Sequence, residues 1–157
     1  MASKNKKPKA INIVNRKAKH EYSFDQLFEA GIMLKGTEIK AIRAGMANLS
    51  DAFCIFREGE LFIKSLHISE YLYGTYNNHM PKRERKLLLN KQELRKLYRK
   101  VREKGNTIIP YRIYISERGF AKVEIALAKG KREYDKRATI KDRENKRHLD
   151  RIKKMNR

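Results

Sequence analysis

Two runs of alternating apolar residues constrain the fold of this chain more than any other sequence feature. A short turn at Glu117–Gly119 separates them. Alternation with a period of two is typical of strands that bury one face, and two such runs joined by a turn form an antiparallel hairpin. The expected inward residues are Ile109, Tyr111, Ile113 and Ile115 on the first strand and Ala121, Val123, Ile125 and Leu127 on the second. The sequence therefore predicts a β-hairpin over residues 109–127.

A second hairpin and a further strand are expected earlier in the chain. The arms Asp51–Arg57 and Glu60–Leu66 are rich in Phe, Ile and Leu and flank Glu58-Gly59, a dipeptide suited to a tight turn. The stretch Tyr22–Phe28 adds a strand whose core candidates are Tyr22, Phe24 and Phe28. Several short antiparallel strands without alternating helices are typical of a small barrel.

Two helices are predicted to flank these strands, a short one near Thr37–Arg43 and a longer one over Lys91–Lys104. Asn90 is a suitable N-cap for the longer helix, Glu93 is placed to complete a capping box, and Gly105 follows the helix end. Its apolar stripe is Leu94, Leu97, Tyr98 and Val101, and its opposite face carries Arg95, Lys96, Arg99, Lys100 and Arg102. The stripe should dock on the barrel. The basic face is either a solvated helix surface or a phosphate-contacting one.

Positive charge is concentrated in three segments of the chain. Of 157 residues, 39 are Lys or Arg and 18 are Asp or Glu, which gives a net charge of +21. Residues 1–20 carry +7, residues 82–104 carry +8 and residues 130–157 carry +7, whereas the remainder carries −1. Clustered basic residues are a usual electrostatic footprint of nucleic-acid binding. The sequence therefore predicts an RNA or DNA partner; the alternative is that the basic segments only solubilise the chain.

The length and the apolar content indicate one compact domain with polar ends. We expect a flexible basic N-terminus over residues 1–10, a folded nucleic-acid-binding domain over 11–130 and a basic C-terminal tail over 131–157. The tail has too few apolar residues to pack on the core, so it should be disordered when free and helical on a binding surface. Those apolar residues are Tyr134, Ile140, Leu149, Ile152 and Met155.

The sequence contains no recognisable catalytic or metal-binding pattern, so we expect neither an enzyme nor a cofactor. The four histidines are scattered, and Glu29 and Glu38 have no third acid near them to complete a metal site. Cys54 is the single cysteine and lies in an apolar strand, where a buried inert thiol is expected. Without a disulfide, a signal sequence or a membrane span, the sequence predicts a cytoplasmic protein.

Four segments in a fixed order resemble the small protein B family, the bacterial partners of transfer-messenger RNA (tmRNA, also called SsrA RNA). They are NRKAKHEY (residues 15–22), FEAGIMLKGTEIKAIRAG (28–45), KLLLN (86–90) and ALAKGKREYDKR (126–137). The four in this order, with the basic tail after the last, are highly specific. The resemblance implies an oligonucleotide-binding-like antiparallel β-barrel with flanking helices, mainly β in an α+β arrangement, and a basic C-terminal tail.

The resemblance also implies a role in trans-translation, the rescue of stalled ribosomes. The barrel should bind the tRNA-like domain of tmRNA. It should then enter a stalled 70S ribosome together with alanyl-tmRNA and elongation factor Tu, an indirect partner. The tail should enter the decoding centre of the small subunit and the empty mRNA channel. We expect a monomer with no membrane partner.

The residues expected at the RNA-binding surface come from the first three segments. They are Lys17, Lys19, His20, Glu29, Lys35, Lys40, Arg43, Lys86, Leu88 and Asn90. In the tail the expected ribosome-contacting residues are Lys131, Arg132, Tyr134, Asp135, Lys136, Arg137, Lys141, Arg143 and Ile152. Lys35, Lys40, Arg43 and Lys86 should position RNA phosphates without reading sequence. The Tyr134 ring is suited to stacking on a base.

Two of these residues have alternative roles that the sequence leaves open. Asn90 either offers its amide to a base edge or only caps the helix after it. Glu29 either accepts hydrogen bonds from base amines or 2′-hydroxyls, or forms a structural ion pair that orients neighbouring basic residues.

Two other functions are compatible with parts of this pattern. A ribosomal or ribosome-assembly protein would share the barrel and the basic tails, and it is the main alternative. A DNA-architectural protein would need groove-inserting wedges or dimer symmetry, neither of which the sequence displays.

Overall fold

Nine strands and four α-helices occur within residues 10–155, the part of the chain that this computed structural model describes. The strands are β1 (Asn12–Val14), β2 (Tyr22–Ile32), β3 (Ala47–Asn48), β4 (Phe53–Arg57), β5 (Glu60–Lys64), β6 (His67–Ile68), β7 (Arg85–Leu88), β8 (Asn106–Ile115) and β9 (Ala121–Gly130). The helices are α1 (Arg16–Glu21), α2 (Gly36–Arg43), α3 (Lys91–Val101) and α4 (Glu133–Met155), and a 3₁₀ turn lies at Thr75–Asn77. The N-terminal segment predicted to be flexible, residues 1–10, lies outside the described residues except for Ala10.

Six of the strands close into an antiparallel ring. Their order around the ring is β4-β5-β7-β2-β9-β8, and the pairing of β8 with β4 through Ile108 and Cys54 completes it. β1 pairs with the C-terminal half of β8, and β3 pairs with β6 as a separate two-stranded ribbon. The predicted antiparallel β-barrel with flanking helices, an α+β fold that is mainly β, is confirmed.

Both predicted hairpins are present. Arg57 pairs with Glu60 across a tight turn in which Glu58 and Gly59 have φ values of 51° and 75°, as a two-residue hairpin turn requires. The second hairpin joins β8 to β9, and Gly119 in its turn has a φ of 86°. Both of its strands extend past residues 109–127, so the predicted hairpin is correct and its predicted ends are too short.

The prediction that the first strand of that hairpin, β8, buries a single face is wrong. The pairing of β8 with β9 shifts between Pro110 and Arg112, which leaves Tyr111 in a bulge. Because a bulge reverses the alternation of faces, Ile113 lies in the main core while Ile109 lies on the opposite side of the sheet, in a small cluster under α1.

A second bulge, near the start of β2, also moves predicted core residues to two faces of the sheet. Its pairing with β9 shifts between Phe24 and Gln26. Phe28 therefore packs in the main core, whereas Tyr22 and Phe24 pack in the cluster under α1, where the Phe24 ring meets the Tyr111 ring edge-on at 5.3 Å. All three residues predicted for the core pack against apolar neighbours, but they do so on two faces of the sheet.

α3 packs on the barrel through the predicted stripe. Leu97 is fully buried, and Leu94 and Val101 pack against the main core. Tyr98 is 45% exposed and meets the Phe56 ring edge-on at 5.3 Å, so it lies at the edge of the contact. The helix ends three residues before the predicted Lys104.

The last helix, α4, makes few contacts with the barrel. Its 23 residues extend over about 35 Å at 1.5 Å per residue. Lys131, just before it, is tied to α1: its backbone N–H donates to the Glu21 carbonyl at 2.8 Å and its Nζ to the Lys19 carbonyl at 3.2 Å. The apolar side chains exposed along it are Ile140, Leu149, Ile152 and Met155. No helix within residues 10–155 is long and apolar enough to cross a membrane.

Candidate nucleic-acid interface

The predicted basic residues lie at the two ends of β2. Lys17, Lys19 and His20 are on α1, which precedes the strand, and Lys40 is on α2, which follows it. Eleven residues of strand span about 36 Å at 3.3 Å per residue. The structure therefore forms two separate basic regions, one at each end of the barrel, with Glu29 in the strand between them.

At the first end, a buried side chain locks α1 onto the barrel. Asn15 is 3% exposed; its carbonyl oxygen accepts from the Ala18 backbone N–H at 3.1 Å, and its amide donates to the Leu49 and Pro110 carbonyls at 3.0 and 3.2 Å. Lys17 and Lys19 are exposed on this fixed helix, and His20 is half-buried. The Lys19 Nζ lies 5.0 Å from the centre of the Tyr111 ring.

At the other end, Lys35, Lys40 and Arg43 are exposed around α2. Lys35 is the N-cap residue of the helix, and the Lys40 Nζ lies 5.4 Å from the Tyr71 ring centre. Arg43 donates to the Gly119 carbonyl at 3.2 Å and so connects α2 to the β8–β9 turn. Contact of these cations with RNA phosphates stays a prediction.

Between the two ends, the outward residues of four neighbouring strands form a continuous surface. Gly31 of β2 pairs with Leu88 of β7 on one side and with Lys122 of β9 on the other, and Lys122 pairs with Tyr114 of β8. Glu29 lies two residues before Gly31 on the same face of β2. We call the outward surface formed by Glu29, Gly31, Leu88, Tyr114 and Lys122 the β2 face.

Glu29 is ion-paired on the β2 face. One carboxylate oxygen accepts from the Lys122 Nζ at 2.8 Å, and the other accepts from the Tyr114 hydroxyl in a short hydrogen bond. These two hydrogen bonds hold the pKa of Glu29 below its usual value. Burial, together with the hydrogen bond to Glu29, raises the pKa of Tyr114 to about 12. The Glu29 side chain is 54% exposed, so its carboxylate is charged and accessible from solvent at neutral pH.

A second ion pair lies beside the first. Glu124 of β9 pairs with Glu29 across the strands and with Arg112 of β8. The Arg112 Nε donates to the Glu124 carboxylate in a short hydrogen bond. Because two carboxylates directly opposite each other repel, each of them needs its own cation. Lys122 and Arg112 supply the two charges.

The KLLLN segment lies next to this surface. Leu88 is 49% exposed, and its Cβ lies 3.3 Å from where a Cβ on Gly31 would be, so its side chain lies over the glycine. Lys86 points to the same side of β7 and pairs with Glu60 at 2.5 Å. Asn90 is exposed at the N-cap of α3, where its backbone N–H donates to Glu93 at 3.3 Å. The structure brings Glu29, Leu88 and Asn90 to one side of the barrel.

The tail residues lie at the start and along the length of α4. The backbone N–H groups of Asp135 and Lys136 donate to the Arg132 carbonyl at 3.1 Å, which begins the helix. Ile152 is 41% exposed near its other end. The predicted residues with exposed or half-buried side chains are Lys131, Arg132, Asp135, Lys136, Arg137, Lys141, Arg143 and Ile152. The side chain of Tyr134 lies outside the described part of the structure.

Metal ligands are not grouped in the described chain. Across residues 10–155 no three His, Cys, Asp or Glu side chains come together in a way that could hold a metal ion. Cys54 is buried, and burial raises the pKa of its thiol, which disfavours the reactive thiolate. The predicted burial of Cys54 is confirmed.

Comparison with known proteins identifies the family. The family model described as "SmpB protein" matches residues 12–155. The chain belongs to the SmpB family. It is similar to the SsrA-binding protein of Phocaeicola vulgatus, with 53% identity over 93% of this chain and 97% of that protein. It is similar to the SsrA-binding protein of Flavobacterium psychrophilum, with 57% identity over the same shares.

A solved structure is similar in both sequence and fold to this SmpB-family chain. It is described as "tmRNA-SmpB: a journey to the center of the bacterial ribosome" and is 46% identical. The match covers 83% of this chain and 95% of the solved chain, with a TM-score of 0.68. The family named from four short segments is therefore confirmed over nearly the whole chain.

Sequence reasoning missed a buried ionic cluster that holds α2 on the barrel of this SmpB-family chain. Glu38 of α2 and Arg85 of β7 are both 0% exposed and form a salt bridge of 2.8 Å; Arg83 adds a second at 2.7 Å. His79 is also buried, between the Thr37 hydroxyl and the Ile68 carbonyl, each 2.9 Å away. The available signal was the alternation of Arg85 with Leu87, which places both side chains on the inner face of β7.

Proposed function

We propose that this protein binds tmRNA through its tRNA-like domain and takes part in trans-translation on stalled ribosomes. The observation that carries the proposal is the SmpB-family match over residues 12–155, with relatives that are SsrA-binding proteins at 53% and 57% identity. Proteins of this family are RNA-binding and not enzymes. No cofactor is needed for this role.

The barrel is the RNA-binding part of the protein. Glu29, Leu88 and Asn90 contact the tRNA-like domain from the β2 face and the adjacent start of α3. The exposed lysines and arginines of α1 and α2 lie on either side and position the RNA backbone. Two basic regions separated by the length of a strand fit a folded RNA. A surface of this kind recognises the shape of the RNA backbone, which an unstructured RNA does not hold.

The C-terminal segment contacts the ribosome. Residues 131–157 carry +7. α4 is a helix over Glu133–Met155, but it leaves its apolar side chains exposed, so we infer that this helix is only marginally stable in the free protein and is stabilised once bound. A helix of about 35 Å is long enough to extend from the decoding centre into the empty mRNA channel. The tail residues from Lys131 to Ile152 then lie along ribosomal RNA.

The remaining partners follow from the same role. Elongation factor Tu is an indirect partner, because it carries the alanyl-tmRNA that this protein binds. The protein acts as a cytoplasmic monomer. The folded unit covers residues 11–130.

The RNA that co-purifies with the affinity-tagged full-length protein tests this function directly. We expect sequencing to find tmRNA enriched over its share of total cellular RNA. Stoichiometric recovery of ribosomal RNA or its precursors, without tmRNA enrichment, would instead identify a ribosomal or ribosome-assembly protein. A test variant is Leu88→Ala, which removes an exposed side chain from the β2 face and should reduce the tmRNA recovered.

A further inference from the structure

The C-terminal helix α4 is attached to the barrel through α1. Only Lys131 and Arg132 separate the end of β9 at Gly130 from the start of α4. The Lys131 backbone N–H donates to the Glu21 carbonyl at 2.8 Å, and its Nζ donates to the Lys19 carbonyl at 3.2 Å. Both carbonyls belong to the last turn of α1, where helix carbonyls lack partners within the helix. Among the described elements, α1 is the one that α4 contacts most, so the position of α1 sets the direction in which α4 leaves the barrel.

α1 is too short to hold its own orientation. It has six residues, and an isolated helix of this length is unstable in water. Its apolar contact with the sheet is small: Ala18, which is 2% exposed, packs with Ile109 and Ala128 beside the rings of Tyr22 and Phe24. A short helix resting on so few apolar side chains can tilt, because apolar packing of this kind is not directional. A directional contact is therefore needed to fix the helix.

The buried Asn15 side chain provides that contact. It is 3% exposed, and its amide donates to the Leu49 carbonyl at 3.0 Å and to the Pro110 carbonyl at 3.2 Å. Its carbonyl oxygen accepts from the Ala18 backbone N–H at 3.1 Å, as an N-cap residue does. Its backbone N–H donates to the Tyr111 carbonyl at 2.7 Å. One residue thus joins the start of α1 to the bulge of β8 and to the segment that follows β3.

The length of α4 magnifies any change in direction at its start. A helix of about 35 Å that is tilted by roughly 20° is displaced by about 12 Å at its far end. A segment that is already held at the correct angle also loses less freedom when it binds, which favours binding. Placement of the tail on ribosomal RNA therefore depends on the orientation of α1.

We propose that Asn15 is a positioning residue for the C-terminal tail: by holding α1, it directs α4 from the barrel towards its site on the ribosome. This inference rests on the proposed function, in which α4 contacts ribosomal RNA. Asn15 is enclosed by the protein, so it acts through α1 and not by touching RNA. At the usual strength of such bonds, the two hydrogen bonds that its amide donates together favour the held orientation by about 5- to 150-fold.

Double electron–electron resonance on the free full-length protein tests the orientation of α4. One spin label is placed in the β8–β9 turn by Arg118→Cys and the other on the second turn of α4 by Ala138→Cys, both exposed positions, in a Cys54→Ala background. With Asn15 present, the two labels should give one narrow distance distribution. Asn15→Ala should broaden it. Asn15→Ser should do the same, because serine still caps the helix but is too short to bridge to the barrel.

A second variant breaks the same connection at its other end. Lys131→Pro removes the backbone N–H that donates to the Glu21 carbonyl and leaves the Asn15 hydrogen bonds in place, so it should also broaden the distribution. This variant decides the question if Asn15→Ala does not fold. The matched control is Ile63→Val. Ile63 is fully buried in the main core and not in the cluster under α1, so this change should lower Tm but keep the distribution narrow.

Peptide tagging on stalled ribosomes separates positioning from stability. At saturating tmRNA, unlabelled Asn15→Ser should tag nascent chains more slowly than wild type by about fivefold or more. Ile63→Val should tag at the wild-type rate at a temperature where both variants are folded. A merely structural role of Asn15 would instead make both variants lose activity in proportion to their loss of Tm.

The inference is overturned if the wild-type distribution is already broad, or if Asn15→Ser and Lys131→Pro leave it narrow. It is also overturned if Asn15→Ser tags at the wild-type rate, or if Ile63→Val slows tagging as much as Asn15→Ser does. A wild-type protein that neither binds the tRNA-like domain nor supports tagging would overturn the proposed function itself. The distances in the free protein would still decide whether Asn15 directs α4.

Discussion

Replacing Glu38 with Gln should destabilise the whole barrel, because it leaves a buried guanidinium without a counter-charge. Glu38 accepts from the Arg85 Nε at 2.8 Å, from the Arg83 Nη2 at 2.7 Å and from the Lys35 backbone N–H at 2.7 Å. Glutamine has nearly the same size and leaves no cavity. The variant therefore tests charge alone.

The pKa of Glu38 gives the size of the effect. Burial by itself raises the pKa of this carboxyl, but the hydrogen bonds from Arg83 and from the Lys35 backbone, with the charge of Arg85, outweigh burial and lower it from 4.5 to about 2. A pKa lowered this far in the folded state contributes about 3 kcal/mol at neutral pH. Leaving a buried partner unpaired costs about 3–5 kcal/mol in other proteins. For a chain of this length, about 3 kcal/mol lowers Tm by roughly 10 °C.

The pH dependence follows from the sign of the shift. Because the pKa of Glu38 is lower in the folded protein, its contribution is complete above about pH 4.5 and is lost as the pH falls towards 2. Thermal unfolding followed by circular dichroism from pH 2 to pH 7 should show the wild type converging on Glu38→Gln in acid.

The matched control is Glu84→Gln. Glu84 lies one residue before Arg85 and pairs with Arg57 at 2.8 Å on the surface, where ion pairs contribute little, so Tm should hardly change. A Tm for Glu38→Gln within about 3 °C of wild type at pH 7 would mean that Arg85 finds other compensation and that the reasoning is wrong; about 3 °C corresponds to roughly 1 kcal/mol here.

Three further variants test the interface and the tail. Gly31→Ala places a Cβ 3.3 Å from the Leu88 Cβ; displacement of Leu88 should weaken binding to the tRNA-like domain with little change in Tm, and unchanged affinity by filter binding would contradict this. Asn90→Ala should weaken RNA binding by more than the roughly 0.5–2 kcal/mol that an N-cap contributes to stability; if Tm falls while the folded protein binds normally, Asn90 is only a cap. Deletion from Asp135 onward should leave Tm and tmRNA affinity nearly unchanged but abolish peptide tagging on stalled ribosomes in a reconstituted translation assay, so tagging by the truncated protein would show that the tail acts only in solubility.

The sequence predicted the hairpins well because their turns and alternation are local signals. Glu58-Gly59 adopts the left-handed pair of φ values that a two-residue turn needs, and Val123, Ile125 and Leu127 lie in the core as their spacing indicated. The error at Ile109 arose from a bulge beside Pro110, a residue that lacks the N–H needed for a regular ladder. That proline was a usable sign that the alternation would change there.

Contacts between distant strands were beyond the reach of sequence patterns. Glu29 meets Tyr114 and Lys122 from strands more than 80 residues away, and their register depends on two bulges in neighbouring strands. Whether Glu29 was ion-paired therefore could not be decided from spacing. Arg85 was missed for a different reason. Its alternation with Leu87 indicates that it faces the core, but arginines are so seldom buried that an exposed side chain is the ordinary expectation.

We propose that the barrel recognises a folded tRNA-like RNA by shape and by a small number of base contacts. Equilibrium competition at fixed salt tests it most directly, with the labelled tRNA-like domain of tmRNA bound to the full-length protein and unlabelled RNA added at equal nucleotide concentration. We expect the unlabelled tRNA-like domain to displace the label and an unstructured RNA of the same length not to do so. Equal displacement by both RNAs would show that the +21 charge alone drives binding and that the barrel does not recognise RNA shape.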